Sequence, residues 1–176
     1  LSRATPLVAD LRAGLGETCV GLFDEIPAHA PRDAVLRAAE ALRAARADLI
    51  VTLGGGSVVD GAKMAQVACS YGFRAVEEMD ELGPRLLEDV GRSLAPRQIA
   101  IPTTLSAAEF GWGAGSTDTR GQAIKHVVRH PDLMPVAIIL DARMTLHTPP
   151  QLWLSTGMRA VDHAVEQMPI TTPALE

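Results

Sequence analysis

The amino-acid sequence predicts an α/β fold in which helices flank a parallel sheet. Apolar residues make up 47% of the 176 residues and aromatic residues only 3%, and a core of Ala, Val, Leu and Ile suits helices packed on a sheet. Over residues 18–70, the patterns of a strand, a helix, a second strand, a glycine turn and a second helix follow one another. That order is typical of parallel strands joined by right-handed crossovers.

The first part of the chain supplies the early elements. Residues 5–15 have the pattern of a short helix that ends at Gly16, and residues 18–23 (TCVGLF) have that of a strand. Pro31 opens the next helix, because proline suits a first helical position. The apolar face of this helix recurs at helical spacing and is formed by Val35, Leu36, Ala39 and Leu42.

The middle of the chain contains the clearest strand. Residues 48–54 (DLIVTLG) are a continuous apolar run, which is typical of a strand buried on both faces. A helix is expected from residue 57 to about residue 70. Residues 72–97 are more charged, and they predict a mixture of loop and a helix near residues 84–90.

The last part of the chain returns to strands and then to a helix. Residues 97–110 begin as a strand and continue as turns, and residues 111–128 predict a hairpin with its turn at residues 118–121. Residues 135–141 (PVAIILD) predict another buried strand. A helix is expected over residues 150–168, followed by a loop-like ending.

Charge and composition exclude several classes of protein. The net charge is −5 and no run of Lys and Arg occurs, so nucleic acid is a poor partner. Cys19 and Cys69 have no CxxC spacing, and we expect them to be small buried side chains in a reducing compartment. No apolar span approaches the roughly 20 residues of a membrane helix, and the N-terminus lacks a signal-peptide pattern. A soluble, cytoplasmic protein without a membrane partner is expected.

Three consecutive glycines, Gly54, Gly55 and Gly56, separate the central strand from its helix. Glycine loses the most backbone freedom on folding, so three together predict that another group approaches the backbone closely. The free N–H groups and the dipole of a helix N-terminus favour an anion. Ser57 is expected to cap the helix and to donate its hydroxyl to a phosphate oxygen. The alternative to this phosphate site is a tight turn without a ligand.

The glycine motif is neither GxGxxG nor a P-loop, which would require GK[ST]. Instead, GGGSVVDGAK (residues 54–63) resembles the GGGSxxDxAK signature of the iron-containing alcohol dehydrogenase family, in the dehydroquinate synthase-like superfamily. The motifs IPTTLSAAEF, IILDARMTL and GMRAVDHAVE follow in the order found in that family. Within it, PTTLSAAEF and STGMRAVDHAVE are most similar to maleylacetate reductases, which reduce maleylacetate to 3-oxoadipate with NADH or NADPH in aromatic compound catabolism.

The resemblance implies which residues bind the cofactor. Gly55, Gly56 and Ser57 would hold the cofactor pyrophosphate, and Asp60 would lie near its nicotinamide side. Thr103 and Thr104 would contact the cofactor, and Leu105 would line the same pocket. Lys125 would reach the ribose. The alternative for Lys125 is a solvated lysine at a strand edge. Lys63 is expected to be solvated as well, and Asp141 and Thr145 to form a helix cap and its first turn.

The resemblance also bears on metal binding. Metal-dependent members carry Asp and His four residues apart on one helix, and His163 matches the histidine, but Arg159 occupies the earlier position. A guanidinium offers no lone pair to a metal, so no bound iron or zinc is expected. Arg159 could instead grip a substrate carboxylate, and its alternative is a surface arginine paired with Glu166 or Asp162. His163 is either a proton donor or substrate hydrogen-bond partner, or a histidine buried against its helix.

The resemblance implies a Rossmann-like dinucleotide-binding domain at residues 1–148 and the first helix of an all-helical second domain at residues 149–176. The family's first strand and most of its second domain would then lie outside this chain. The implied function is an NADH- or NADPH-dependent maleylacetate reductase acting on a small dicarboxylate, as a homodimer. A metal-dependent alcohol dehydrogenase and a non-catalytic nucleotide-binding fragment are the alternatives, since one fold hosts many functions.

Overall fold

The computed structural model describes residues 5–89 and 91–167. Three strands form a parallel sheet in the order β1-β2-β5, and two form a separate antiparallel hairpin. The strands are β1 (Leu49–Gly54), β2 (Arg97–Pro102), β3 (Gly113–Asp118), β4 (Ile124–Arg129) and β5 (Ala137–Ile138). The helices are α1 (Leu7–Leu15), α2 (Arg32–Ala45), α3 (Gly56–Tyr71), α4 (Leu82–Glu88) and α5 (Pro150–Gln167). The predicted parallel sheet with flanking helices is confirmed.

Helix α3 lies at the centre of the fold. It packs against α2, against β1 and β2 of the sheet, and against β3 of the hairpin. Its run from Gly61 to Ala68 is buried without a break, because other elements surround the helix. Most of the run is small or apolar, as suits such a helix, and the polar exceptions are Lys63 and Gln66. The core around it is formed by Val35, Ala39, Met64, Val67, Ala68, Phe73, Met79, Leu94 and Leu133, among others.

The helix ends follow the sequence signals closely. Gly16 and Gly72 terminate α1 and α3 with φ of 56° and 73°, a backbone region that glycine enters without steric cost. Pro31 is the residue before α2 rather than its first helical residue, with φ −55° and ψ 143°. Its extended backbone also forms a bridge to Thr117 of the hairpin.

Residues 18–23 do not form the predicted strand. A strand needs a hydrogen-bonded neighbour, and the described part of the chain places none beside this segment, so Val20 and Leu22 are exposed. The chain continues as extended coil to Ile26, whose side chain covers Gly61 of α3. A Cβ at Gly61 would come within 2.8 Å of that side chain. Residues 18–23 therefore stay outside the sheet, and it is the later Ile26 that packs on a helix.

The prediction of a buried strand at residues 135–141 is also wrong in part. Only Ala137 and Ile138 pair with β2, and the following Ile139 and Leu140 are 49% and 67% exposed. Helix α5 is confirmed, and its apolar residues are likewise exposed, with Leu154 at 68%. The expected loop at residues 169–176 lies outside the described residues, as does the end of the helix predicted near residues 84–90.

The two cysteines are free thiols that are half-buried, not fully buried as predicted. Burial raises the pKa of the Cys69 thiol above its usual range, and the charge of Arg43 opposes this effect.

Over residues 5–89 and 91–167, every helix is too short or too polar to cross a lipid bilayer.

Candidate cofactor site at the carboxyl ends of the strands

The glycine turn and the threonines of the PTT motif meet at one edge of the sheet. Strands β1 and β2 are parallel and in register, with Gly54 opposite Pro102, so their carboxyl ends lie together. The amide of Thr103 donates to the carbonyl of Gly54 at 3.0 Å. In open α/β sheets, ligands bind in the crevice at the carboxyl ends of the strands. The two motifs singled out in the sequence therefore form one site.

The turn presents the first amides of α3 at this edge. Gly55 is extended, with φ −82° and ψ −174°, and Gly56 is the first helical residue. The first helical hydrogen bonds are donated by Val58 and Val59 to the carbonyl of Gly55. The amides of Gly56 and Ser57 precede them and have no intrahelical acceptor. Such amides at a positive helix end favour an anionic ligand.

The protein itself approaches all three glycines closely. A Cβ at Gly54 would lie 2.7 Å from Val58, and a Cβ at Gly55 would lie 2.9 Å from Thr104. A Cβ at Gly56 would lie 2.7 Å from the hydroxyl of Ser106. Packing within the chain therefore already requires glycine at these positions. The phosphate site stays a prediction, supported by the amides rather than by the number of glycines.

Ser57 does not cap α3 as predicted, because Gly55 occupies the N-cap position and no side chain caps the helix. The hydroxyl oxygen of Ser57 instead accepts a hydrogen bond from the amide of His29 at 3.0 Å. His29 and Ala30 both have positive φ, 66° and 47°. The contact thus anchors an unusual turn before α2 to the start of α3, and it leaves the hydrogen of the Ser57 hydroxyl available to a ligand.

Thr103, Thr104 and Leu105 line the opposite side of the turn. Thr103 and Thr104 are buried, and the Thr104 hydroxyl donates to that of Ser106 at 3.3 Å. Leu105 is 40% exposed, so it is the member of this group open to a ligand. The structure brings these residues to the glycine turn, as the resemblance implied, while their contact with a cofactor stays a prediction.

Asp60 and Lys125 form a charge pair one turn along α3. The Lys125 ammonium, on the exposed face of β4, lies 3.8 Å from the Asp60 carboxylate. Burial raises the pKa of the Asp60 carboxyl above its usual range, and the charges of Lys125 and Lys63 oppose this effect. Lys125 is therefore paired with a residue of the candidate site and is not simply a solvated lysine at a strand edge.

The expectation that Lys63 is solvated is wrong. Its side chain is fully buried, and its ammonium donates to the carbonyls of Ala108, Gly111 and Gly113 at 2.7, 2.6 and 3.2 Å. Burial lowers the pKa of Lys63, while the charges of Asp60 and Glu109 oppose this effect. The three N–H donors of the ammonium are matched by three acceptors, which makes burial of the charge tolerable.

Helix α5 is fastened to the PTT segment by two threonine hydroxyls. Thr148 donates to the carbonyl of Thr103 at 2.6 Å, and the amide of Leu105 donates to the hydroxyl of Thr156 at 3.2 Å. Sequence reasoning missed both threonines, and it also missed Ser106. The available signal was position: Ser106 and Thr156 lie inside the quoted motifs and Thr148 lies just after one, but hydroxyl residues are common on any surface.

Arg159 and His163 lie on α5, one and two turns beyond Thr156. Residues at spacings of three and seven share a helix face, and His163 is half-buried on that face. The Arg159 guanidinium is 60% exposed and lies 3.8 Å from the Asp162 carboxylate. An exposed pair at this distance stabilises little, so the guanidinium remains available to a substrate carboxylate. Both catalytic assignments stay predictions.

One histidine outside the motifs has structural surroundings, whereas His29, His126 and His147 are exposed. His130 is buried, and its Nδ1 accepts a hydrogen bond from the amide of Asp132 at 3.1 Å. Asp141 caps the short 3₁₀ turn Ala142–Thr145 by accepting from the amide of Arg143 at 2.9 Å, as predicted.

Within residues 5–89 and 91–167, no three His, Cys, Asp or Glu side chains are grouped closely enough to hold a metal ion.

A family model described as "Iron-containing alcohol dehydrogenase" matches residues 1–142. The dehydrogenase FUM7 of Gibberella moniliformis is 38% identical over 94% of this chain and 41% of its own length. Maleylacetate reductase from Rhizobium sp. is 32% identical over 90% of this chain and 37% of its own length. This chain therefore spans about two fifths of the length of these curated relatives.

Solved structures show the same fold. The crystal structure of the Rhizobium maleylacetate reductase superimposes with a TM-score of 0.68 at 30% identity, over 93% of this chain and 39% of that chain. A sulfoacetaldehyde reductase from Bifidobacterium kashiwanohense, solved in complex with NAD+, gives a TM-score of 0.67 at 24% identity, over 83% of this chain and 37% of that chain. The second likeness shows the fold alone.

Proposed function

Because the chain belongs to the iron-containing alcohol dehydrogenase family, whose members are NAD(P)-dependent oxidoreductases, we propose that it binds NADH or NADPH and forms the cofactor domain of a maleylacetate reductase. The reaction is the reduction of maleylacetate to 3-oxoadipate in aromatic compound catabolism. The cofactor supplies the hydride, and the protein binds and orients both partners. We further propose a cytoplasmic homodimer.

The observation that carries the proposal is the meeting of the glycine turn with Thr103 and Thr104 at the carboxyl edge of the sheet. The amides of Gly56 and Ser57 would hold the pyrophosphate, and the hydroxyl hydrogen of Ser57 would donate to it. Leu105 is the exposed apolar side chain beside them. The groups present therefore fit a dinucleotide with its phosphates on α3.

The proposal of a dicarboxylate substrate depends on Arg159. Its helix is hydrogen-bonded to Leu105 through Thr156, so the face that carries Arg159 and His163 adjoins the proposed cofactor pocket. A guanidinium can hold a carboxylate with two parallel hydrogen bonds. His163 would then hold or deliver a proton on the same face. The chain is also similar to the dehydrogenase FUM7. The second candidate function is therefore an oxidoreductase of the same family that acts on a substrate other than maleylacetate.

The described residues do not by themselves complete an iron site. They contain no group of three potential ligands, and Arg159 cannot ligate a metal. The family is described as iron-containing and this chain spans about two fifths of its relatives' length, so a metal-dependent alcohol dehydrogenase is the rival function. Binding of the cofactor without turnover would instead support a non-catalytic nucleotide-binding chain.

The proposal is tested by titrating the purified protein with NADH and with NADPH, followed by fluorescence. Gly56→Asp adds a carboxylate at the proposed phosphate site and should weaken binding at least about tenfold, which is about 1.4 kcal/mol. Gly56→Ala brings the same new Cβ against Ser106, at 2.7 Å from its hydroxyl and 3.1 Å from its Cβ, but adds no charge, so it separates added bulk from added charge. Gly83→Asp is the control, because a side chain there meets open space.

Binding by the wild type that is lost in Gly56→Asp but kept in Gly83→Asp would support the proposed site. Equal binding by the wild type and Gly56→Asp would contradict it. Turnover is then measured with maleylacetate, with and without a chelator. Activity that disappears with the chelator and returns with iron would favour the metal-dependent rival.

A further inference from the structure

Lys63 is the largest fully buried side chain among the described residues, and neither the proposed chemistry nor the core requires it. A buried ammonium is costly unless every donor finds an acceptor. Here all three acceptors are carbonyls of one short segment, those of Ala108, Gly111 and Gly113. An apolar side chain would fill the same space without that requirement. The ammonium is therefore best explained by what it holds.

The segment it holds connects the PTT motif to the hairpin. We call residues 106–113 the bridging segment. It has little regular structure of its own, namely the 3₁₀ turn Ala108–Phe110. Ala107 has φ 59°, a left-handed conformation that costs a residue with a Cβ about 1 kcal/mol or more. Backbone of this kind keeps one shape only when its surroundings fix it. The Lys63 ammonium bonds the carbonyl of Ala108, directly after Ala107, and that of Gly113, at the end of the segment.

The start of the bridging segment lies over the proposed phosphate site. The hydroxyl of Ser106 is the atom that a Cβ at Gly56 would meet at 2.7 Å, and the methyl of Ala108 would lie at 3.7 Å. Ser106 also accepts the hydrogen bond from Thr104. Any movement of the bridging segment therefore changes the space above the first turn of α3.

A second buried charge is consistent with this arrangement. Glu109 is buried within the bridging segment, and its Oε2 has no hydrogen-bond partner. An unpaired buried carboxylate would be strongly unfavourable by itself. The charge of Glu109 attracts that of Lys63 and opposes the lowering of the Lys63 pKa by burial. The lysine is therefore attracted to the bridging segment by a negative charge as well as bonded to its carbonyls.

We propose that Lys63 is a positioning residue: its ammonium fixes the bridging segment over α3 and thereby sets the space in which the cofactor pyrophosphate binds. The effect on the cofactor rests on the proposed function, whereas the effect on the bridging segment does not. Lys63 touches neither the proposed ligand nor any reacting atom. Its effect would be indirect: Lys63 fixes the bridging segment, and the segment places Ser106 beside the amides of Gly56 and Ser57.

The experiment replaces Lys63 with methionine and follows the bridging segment directly. The protein contains two tryptophans, and Trp112 lies within the segment, between two of the carbonyls that bind Lys63. In a Trp153→Phe background, Trp112 is the sole fluorescent tryptophan. Hydrogen exchange of the amides of residues 106–113 and the emission of Trp112 report the segment, and an NADH titration reports the site.

The matched control is Gln66→Met. Gln66 is equally buried on α3, but its amide donates to the carbonyls of Leu94 and Asp132, at 3.1 and 3.0 Å, which lie outside the bridging segment. It therefore reproduces the loss of a buried polar side chain from α3 without releasing the bridging segment. Should Lys63→Met fail to fold, Lys63→Gln removes the charge while keeping two N–H donors.

Lys63→Met should increase exchange in residues 106–113 by about tenfold or more and shift Trp112 emission, while the control leaves both unchanged. NADH affinity should fall about tenfold, because a binding constellation must be held closely in place. Unchanged exchange and emission would overturn the proposal, as would equal changes in the control. Wild-type protein that fails to bind NADH would contradict the proposed function alone, since exchange still tests the segment.

Discussion

The surroundings of α3 and the surface formed by β5 and α5 are equally apolar in sequence but differ in structure. Around α3, the core residues Val35, Val67 and Leu94 are fully buried. Just after β5 and on α5, Leu140 and Leu154 are 67% and 68% exposed. Apolar patterning therefore predicted helix α5 and the short strand β5 as well as the elements around α3, but it did not show which region completes its own core.

The comparison is tested most strongly by removing one leucine from each region. Leu94→Ala should lower the free energy of unfolding by about 2–5 kcal/mol, because it leaves a cavity in a packed core. Leu154→Ala should change it by no more than about 0.5 kcal/mol, because the side chain is already in solvent. Chemical denaturation of the two variants measures both values. A large loss in Leu154→Ala would mean that this face is covered in solution.

The second test asks whether the exposed region carries substrate binding while the region around α3 carries cofactor binding. Arg159→Gln should raise KM for maleylacetate about tenfold to a hundredfold, because a charge-assisted bond to a carboxylate contributes about 1.5–3 kcal/mol. The Kd for NADH should not change. Arg159→Lys keeps the charge and should restore part of the loss. If Arg159→Gln changed KM for maleylacetate and Kd for NADH by similar factors, substrate binding and cofactor binding could not be assigned to separate regions.

The smallest expected effect concerns ion pairs. At the hairpin turn, the Arg120 guanidinium joins Asp118, Asp80 and Glu77 at 2.6, 2.6 and 3.3 Å. Near α5, Arg143 bonds only its neighbour Asp141, at 2.6 Å. Hydrogen bonds from the guanidinium lower the pKa of both Asp118 and Asp80. Their stabilising effect is therefore complete above the ordinary aspartate pKa and is lost as the pH falls below it.

Arg120→Gln should consequently lower stability at neutral pH, and its difference from the wild type should shrink as the pH falls below about 4. Arg143→Gln should produce a smaller change with the same sign, since its pair links residues that are already neighbours in the chain. Thermal unfolding between pH 3 and pH 7 measures both. If the stability difference between Arg120→Gln and the wild type stayed constant across this range, it would contradict the assignment of the effect to the pairs of Arg120 with Asp118 and Asp80.

Local sequence signals predicted most of the fold. Glycines at helix ends and the turn of the hairpin depend on neighbouring residues, and they were confirmed. The apolar run of β1 forms the predicted strand, but at the edge of the sheet and not buried on both faces, since Leu49 is 41% exposed. Residues 18–23 and β5 were predicted less well, because strand formation depends on a partner that can lie anywhere in the chain.

The candidate site shows the same limit. Glycine-turn and PTT residues were expected at one site because the family resemblance implies that both contact the cofactor, and the parallel strands β1 and β2 bring them to a common edge. The burial of Lys63 was missed, since its three acceptors belong to a segment that follows α3 by two further elements. The contact of Ser57 with His29 was missed for the same reason. In both cases a polar side chain is explained by backbone groups that are distant in sequence.

The parallel register of β1 and β2 has a consequence for folding. Helix α3 can form from local contacts, whereas Leu49 and Arg97 pair only after the intervening chain has closed into a loop. Loop closure loses chain entropy before the new contacts form, so long-range parallel pairing is slow. Gly55 and Thr104 meet only when that pairing reaches the ends of the strands. A folding intermediate with its helices formed and its strands unpaired would contain the glycine motif without a binding site.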